Sequence, residues 1–298
     1  MKRLIHILIF ITLIPVGLKA QQLPHFTQYM FNDYVLNPAI AGTKDYYQVR
    51  AISRFQWVGI VDAPQTINLS INGPHSEKSM GFGGYLYNDV TGPTSKTGIY
   101  GSYAYNISIV NNIRLSMGLS LGILQNTIDG TKITLHDIDD PVLQDGVYST
   151  WVPDAAIGFY FYDENWFGGF SAFQLFSNNL KVYDEKSGLN RLKQHYYLMG
   201  GYRFDISPQF SIEPSLFLKG TSHVTPQIDI NARVTYQEMV WLGLSYRSQD
   251  AVSLLLGYIH NKRYYFGYAY EFGITEFRSY NSGTHEIMIG LRFNPIKK

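Results

Sequence analysis

The residues of this 298-residue chain that could carry catalysis are poorly placed for it. His25, His75, His136, His195, His223, His260 and His285 stand apart, and no HExxH pair occurs. His285 has a carboxylate at a suggestive offset, the adjacent Glu286. A Ser–His pair assembled from different strands stays open, but there is no GxSxG turn to present a nucleophile. The acidic run Asp137, Asp139, Asp140 and Asp145 offers oxygen ligands for calcium, yet its spacing departs from the EF-hand pattern, and a solvated loop is the simpler reading. Zero cysteine removes thiolate catalysis, Cys-type zinc sites and disulfide scaffolds. The expectation is a non-enzymatic protein with no metal and no cofactor.

The charged residues that alternate with apolar ones say more. Arg50 and Arg54 share a face with Gln48 and Gln56, and Arg114, Glu213, Lys219, Asp229, Arg233, Arg247, Glu271, Glu286 and Arg292 take the equivalent register elsewhere. Both signs occur, four acidic residues among seven basic ones. Such residues suit paired networks inside a closed or plugged barrel better than a strongly ion-selective pore.

Placing those residues requires long strands. From Asn112 to Leu124, the apolar Ile113, Leu115, Met117, Leu119, Leu121 and Ile123 alternate with Arg114, Ser116, Gly118, Ser120 and Gly122. The same period of two runs through Ile287, Ile289, Leu291 and Phe293 near the C-terminus. Soluble strands are usually about 5–6 residues, whereas a tilted membrane-crossing strand needs about 9–11. The pattern predicts about fourteen strands, over 46–57, 65–72, 80–88, 96–108, 112–124, 154–162, 165–175, 195–205, 209–219, 226–236, 239–248, 251–260, 263–272 and 284–293. Pro214 cannot donate to a ladder, so a bulge is expected there. Short connections such as Asp163-Glu164, Gln237-Glu238 and Asn261-Lys262 follow the even strands. Long ones, at 125–153, 176–194 and 273–283, follow the odd strands. This is the asymmetry of an outer-membrane barrel, and it puts both termini in the periplasm. The fold expected is therefore an all-β, antiparallel transmembrane barrel.

The N-terminus agrees. Met1-Lys2-Arg3, an apolar run from Leu4 to Val16 and Leu18-Lys19-Ala20 read as a signal peptide over residues 1–20. Removing Lys2, Arg3 and Lys19 from the 24 basic residues leaves 21 against 23 acidic ones, which gives no footprint for nucleic acid. Residues 21–44 do not alternate and are dense in aromatics, Gln and Asn; they form a candidate plug at the periplasmic mouth, ahead of a barrel over 45–298. Tyr264, Phe266, Tyr268, Tyr270 and Phe272 occupy one face of one strand. Five aromatics exceed what an interfacial girdle needs, so Tyr264, Phe266, Tyr268 and Tyr270 are a candidate partner face. Tyr103, Tyr105, Trp166, Phe170 and Trp241 suit the girdles.

The stretch from Phe26 to Gly42, FTQYMFN followed by LNPAIAG, resembles the PorP/SprF family of type IX secretion system membrane proteins. The similarity continues through Arg54-Phe55-Gln56-Trp57, Gly81-Phe82-Gly83, Glu213-Pro214-Ser215, Trp241 to Arg247, Gly267-Tyr268-Ala269-Tyr270 and Gly283 to Ile287. It implies an outer-membrane barrel, in contact with membrane lipid and other type IX secretion proteins, of the kind found in Bacteroidota. Its expected task is to help export and anchor a large partner with a C-terminal sorting domain, as in gliding adhesion, or to form part of the core machine. The alternative is a passive channel or a transporter of hydrophobic solutes. Phe26, Gln28, Tyr29, Asn37 and Pro38 match the family pattern and are candidates for a plug or partner-docking role, with a purely structural role equally open.

Overall fold

The computed structural model describes residues 23–110, 112–133, 146–180, 191–222 and 224–294. The proposed signal peptide, the acidic run at Asp137–Asp145, and His136 and His223 lie outside them.

The strands are β1 Tyr47–Phe55, β2 Gln65–Pro74, β3 Met80–Thr91, β4 Thr94–Val110, β5 Ile113–Asp129, β6 Val147–Tyr162, β7 Trp166–Phe173, β8 His195–Tyr202 with its continuation Phe204–Asp205, β9 Phe210–Thr221, β10 Gln227–Tyr236, β11 Val240–Arg247, β12 Ala251–His260, β13 Tyr264–Gly273 and β14 Thr284–Phe293. Each pairs antiparallel with its sequence neighbours, and β14 pairs with β1, closing a fourteen-stranded barrel. Closure removes the free edges that would otherwise sit in hydrocarbon. Burial is inverted relative to a soluble protein. Leu121, Ile123, Ile230, Leu242 and Leu244 are exposed on the outer wall, while Arg50, Arg54, Asn68, Arg247 and Glu286 are buried inside.

Two details differ from the sequence expectation. β5 and β6 run on to Asp129 and back from Val147, so much of the stretch expected as a loop is ladder, with Asp129 opposite Val147 and Gln125 opposite Trp151. Strands projecting past the bilayer need no apolar face, so alternation fades while pairing continues. At Pro214 there is no bulge. Its pairing with Ala232 keeps register, and the ladder is broken on the other side, where Arg203 separates the two pieces of β8. The described register shift lies instead between Ser108 and Val110.

At one end the connections among the described residues are short. Gln237-Glu238 and Asn261-Lys262 turn with φ near +50° at both central residues, matching the twist of their hairpins. The other end is mixed, since Gly92-Pro93 is as short as any turn, whereas a connection over 274–283 folds onto the neighbouring connection after β1. There Phe277 packs on Trp57 with ring centroids 4.9 Å apart, and Val58 exchanges backbone hydrogen bonds with Ser282 and Gly283.

Candidate functional site in the barrel lumen

Residues 23–42 lie inside the barrel. Three short 3-10 turns, Tyr29–Phe31, Asp33–Leu36 and Pro38–Ile40, fold the segment compactly enough to fit. Asn37 caps the third by accepting the Ala39 N–H at 3.0 Å, and Pro38 begins it, where a missing N–H is harmless. The described part of the segment begins away from the short-turn mouth, with His25, Thr27 and Gln28 beside Asp229, Glu271 and Glu286. Leu23 to Gln28 sit in the long-loop half, beside the outer ends of β1, β13 and β14, and the chain runs down the lumen to enter β1 at the short-turn end. The C-terminal end of β14 is also at the short-turn end.

The upper anchor is electrostatic. Both oxygens of Glu286 accept backbone N–H groups, from Thr27 at 2.7 Å and Gln28 at 2.8 Å, and the Gln28 side chain donates to the Glu286 carbonyl at 3.1 Å. Arg54, opposite Glu286 across the ladder, donates to Glu271 at 2.8 and 2.9 Å, to Glu286 at 3.2 Å and to the Thr27 hydroxyl at 2.6 Å. Thr27 in turn donates to Glu271. Arg247 bridges Glu271 at 3.1 Å, Asp229 at 3.3 Å and Asp250 at 3.1 Å. His25 stands 3.8 Å from Asp229. Burial, with the nearby Arg247 and Lys219, holds its imidazole well below the usual value, so this contact is not an ion pair at neutral pH.

Further down, Tyr29 accepts from Asn231 and packs on Phe217, while Phe31 stacks on Trp241 at 4.0 Å. Trp241 thus faces the lumen rather than an interfacial girdle, and the space for its ring comes from Gly257 opposite, where a Cβ would lie 2.2 Å from it. Asn32 bonds Asn68 at 3.0 Å and Ser70 at 2.8 Å, and Tyr34 donates to Ser102 at 2.8 Å.

The lower stretch rests on a shelf of small residues. Gly81, Ala104, Gly118, Gly158 and Ser171 are consecutive partners across β3 to β7. Ser171 donates to the Leu36 carbonyl at 2.5 Å, Asn37 lies over Gly158, Ala39 over Gly118, and Ala41-Gly42 over Gly81. A Cβ at Gly118 would lie 2.3 Å from the Ala39 nitrogen. Asn37 also donates to the carbonyls of Phe159 at 3.0 Å and Phe170 at 3.4 Å. Of the sequence candidates, Phe26, Gln28, Tyr29, Asn37 and Pro38 are therefore all buried in the lumen. Sequence reading passed over Thr27, Asn32 and Tyr34; the signal for them was the run of polar and aromatic residues itself, which lacks the alternation of the strands.

Tyr264, Phe266, Tyr268 and Tyr270 lie on the outer wall, apart from this site. Tyr268 reaches His285 at 2.7 Å and Tyr270 donates to the Ser282 carbonyl at 3.1 Å. In the turn after β10, a hydrogen bond and the positive charge of Lys262, 2.8 Å away, hold the Glu238 carboxyl below its usual range.

A closed fourteen-stranded barrel with an apolar outer wall and a polar lumen is an outer-membrane protein, and the solved structure of a transporter bears out that architecture. The Ralstonia pickettii toluene transporter TbuX superposes with a TM-score of 0.50 at 8% identity, over 87% of this chain and 92% of that one. A Pseudomonas aeruginosa FadL homologue gives 0.47 at 11% identity, over 91% and 94%. These likenesses concern fold alone. The chain belongs to the type IX secretion system membrane protein PorP/SprF family, whose family model matches residues 18–291. Among curated proteins none matches it.

Proposed function

We propose that this barrel is a non-enzymatic component of the type IX export machinery that helps to bring a large partner with a C-terminal sorting domain to the surface and hold it there, with residues 23–42 closing the lumen. The observation that carries this reading is the lumen itself: in its long-loop half the buried carboxylates Asp229, Glu271 and Glu286 are matched by Arg54 and Arg247, and the N-terminal segment bonds to strands as far apart as β14, β2, β6 and β10. A porin keeps its lumen wet and open. Family membership supports the secretion role, and short turns facing the periplasm, as in other outer-membrane barrels, would put the end of β14 on the side of the export apparatus. On the same reading Tyr264, Phe266, Tyr268 and Tyr270 form a lateral contact within the bilayer.

Deleting the gene and comparing surface proteomes tests the proposal. Loss of one giant surface protein marks a substrate-specific anchor and loss of all sorted proteins marks a core part; an unchanged surface proteome refutes the secretion role. Removing residues 23–36 from the protein should abolish partner retention while the barrel keeps its heat-modifiable migration. The channel reading makes the opposite forecast for the intact protein, namely a large and steady conductance in planar bilayers.

A further inference from the structure

The two halves of the lumen match their cations differently. Arg54 and Arg247, in the long-loop half, are each bound by two or more carboxylates. In the short-turn half Arg50 and Arg292 have no carboxylate within 4.0 Å among the described residues. Arg50 is 2% exposed; it donates to the carbonyls of Phe31 at 3.4 Å and Val49 at 3.1 Å, and its guanidinium lies 4.1 Å from the centre of the Tyr265 ring. Arg292 lies 4.2 Å from the same centre and 4.3 Å from that of Tyr46. Two like charges thus share the Tyr265 ring, at 4.1 and 4.2 Å from its centre. Gly290 pairs with both Arg50 and Tyr265 and makes this stack possible, since a Cβ there would lie 2.6 Å from Arg50 Nη1.

These residues border a cavity of about 380 Å³ at the short-turn end. Four further atoms on its wall are buried without a hydrogen-bond partner among the described residues: Arg233 Nε, Trp241 Nε1, Tyr265 Oη and Arg292 Nε. Three of them can only donate. The nearby carboxylates are engaged elsewhere: Glu213 with Arg233 at 2.7 Å, Glu238 with Lys262 at 2.8 Å, and Asp163 with the backbone N–H groups of Asn165 and Trp166. Asp33 and Glu164 border the cavity without reaching either unmatched guanidinium. Buried donors facing no acceptor carry a desolvation cost that an acceptor-rich ligand would relieve. A carboxylate suits the guanidinium fork, and the rings of Phe31 and Trp241 suit an apolar side chain beside it.

We propose that this cavity receives a carboxylate-bearing peptide, the end or an acidic residue of an extended segment offered by a protein partner on the short-turn side. The volume falls in the lower range of ligand sites, enough for a few residues and too small for a folded domain. A free inorganic anion would occupy the guanidinium corner and leave the aromatic wall bare. The inference rests on the secretion reading only for the presence of such a partner.

Calorimetric titration of the purified full-length protein with acetyl-Leu-Phe-Glu tests it. The free-acid tripeptide should bind saturably, at least tenfold more tightly than acetyl-Leu-Phe-Gln-amide and than inorganic phosphate. Both Arg50→Gln and Arg292→Gln should weaken it tenfold or more. Arg292→Lys, which keeps the charge and so the folded barrel, should still lose most of the affinity because the fork is gone. Equal binding of acid and amide, indifference to all three substitutions, or phosphate binding as tightly as the peptide would each overturn the proposal. Because binding is read on isolated protein, its failure would leave the surface-proteome result standing, and an unchanged proteome would leave the binding result standing.

Discussion

Glu286→Ala should release the top of the N-terminal segment from the lumen while leaving the barrel closed. The side chain is fully buried and accepts two backbone N–H groups besides its share of Arg54. Removing one partner of a buried ion pair costs about 3–5 kcal/mol, because the groups left behind stay desolvated. Glu271 still binds Arg54 through two hydrogen bonds, which puts the loss at the lower end of that range. At about 3 kcal/mol the released fraction of the segment rises roughly 150-fold. Chymotrypsin added to the protein in detergent reports this directly, since Phe26, Tyr29, Phe31 and Tyr34 are shielded in the docked state and become cleavable once the segment leaves. Glu286→Gln, which keeps one acceptor oxygen, should fall between. Unchanged protection in a barrel that still shows heat-modifiable migration would mean that the lower contacts alone hold the segment.

The barrel was readable because a membrane enforces alternation on every strand that crosses it. In β14, Ile287 and Ile289 must meet lipid, so Glu286, Met288 and Gly290 must face inward, and the structure has them so. Where the membrane stops, the rule stops: residues 125–129 lost the pattern while keeping their partners, and they read as loop. Pro214 misled for a different reason. A ladder can lose one donor and hold register if the neighbouring strand breaks instead, as β8 does at Arg203. Trp241 looked interfacial by type, but its register points it inward, and Gly257 on the next strand makes the room. The N-terminal segment could be recognised as something other than strand. Its path could not be read, because it depends on which residues of twelve strands converge on it, and a local sequence pattern does not encode that.

The small-residue shelf leads to the second large effect, at Gly158. A Cβ there would lie 1.9 Å from Asn37 Oδ1 and 3.1 Å from the Pro38 ring, and the strand cannot retreat because it is paired on both sides. Gly158→Ala should therefore expel the Asn37 side chain, which loses its bonds to Phe159, Phe170 and the Ala39 N–H. Overpacking costs about 1–3 kcal/mol and each hydrogen bond about 1 kcal/mol net, so docking of the segment should weaken by about 3 kcal/mol. Asn37→Gly removes the obstructing side chain along with the same bonds. The two substitutions should consequently be far from additive, with the double variant no worse than Asn37→Gly alone and a coupling of about 3 kcal/mol, the whole of the Gly158→Ala loss. Gly168, where a Cβ would meet nothing within 4 Å, supplies the control, and Gly168→Ala should change chymotrypsin protection little. Additive losses at Gly158 and Asn37 would show that the glycine serves the strand rather than the segment. Strong coupling would identify the shelf as a surface shaped to hold residues 36–42 across β3 to β7, where a side chain on any of three glycines would break the fit.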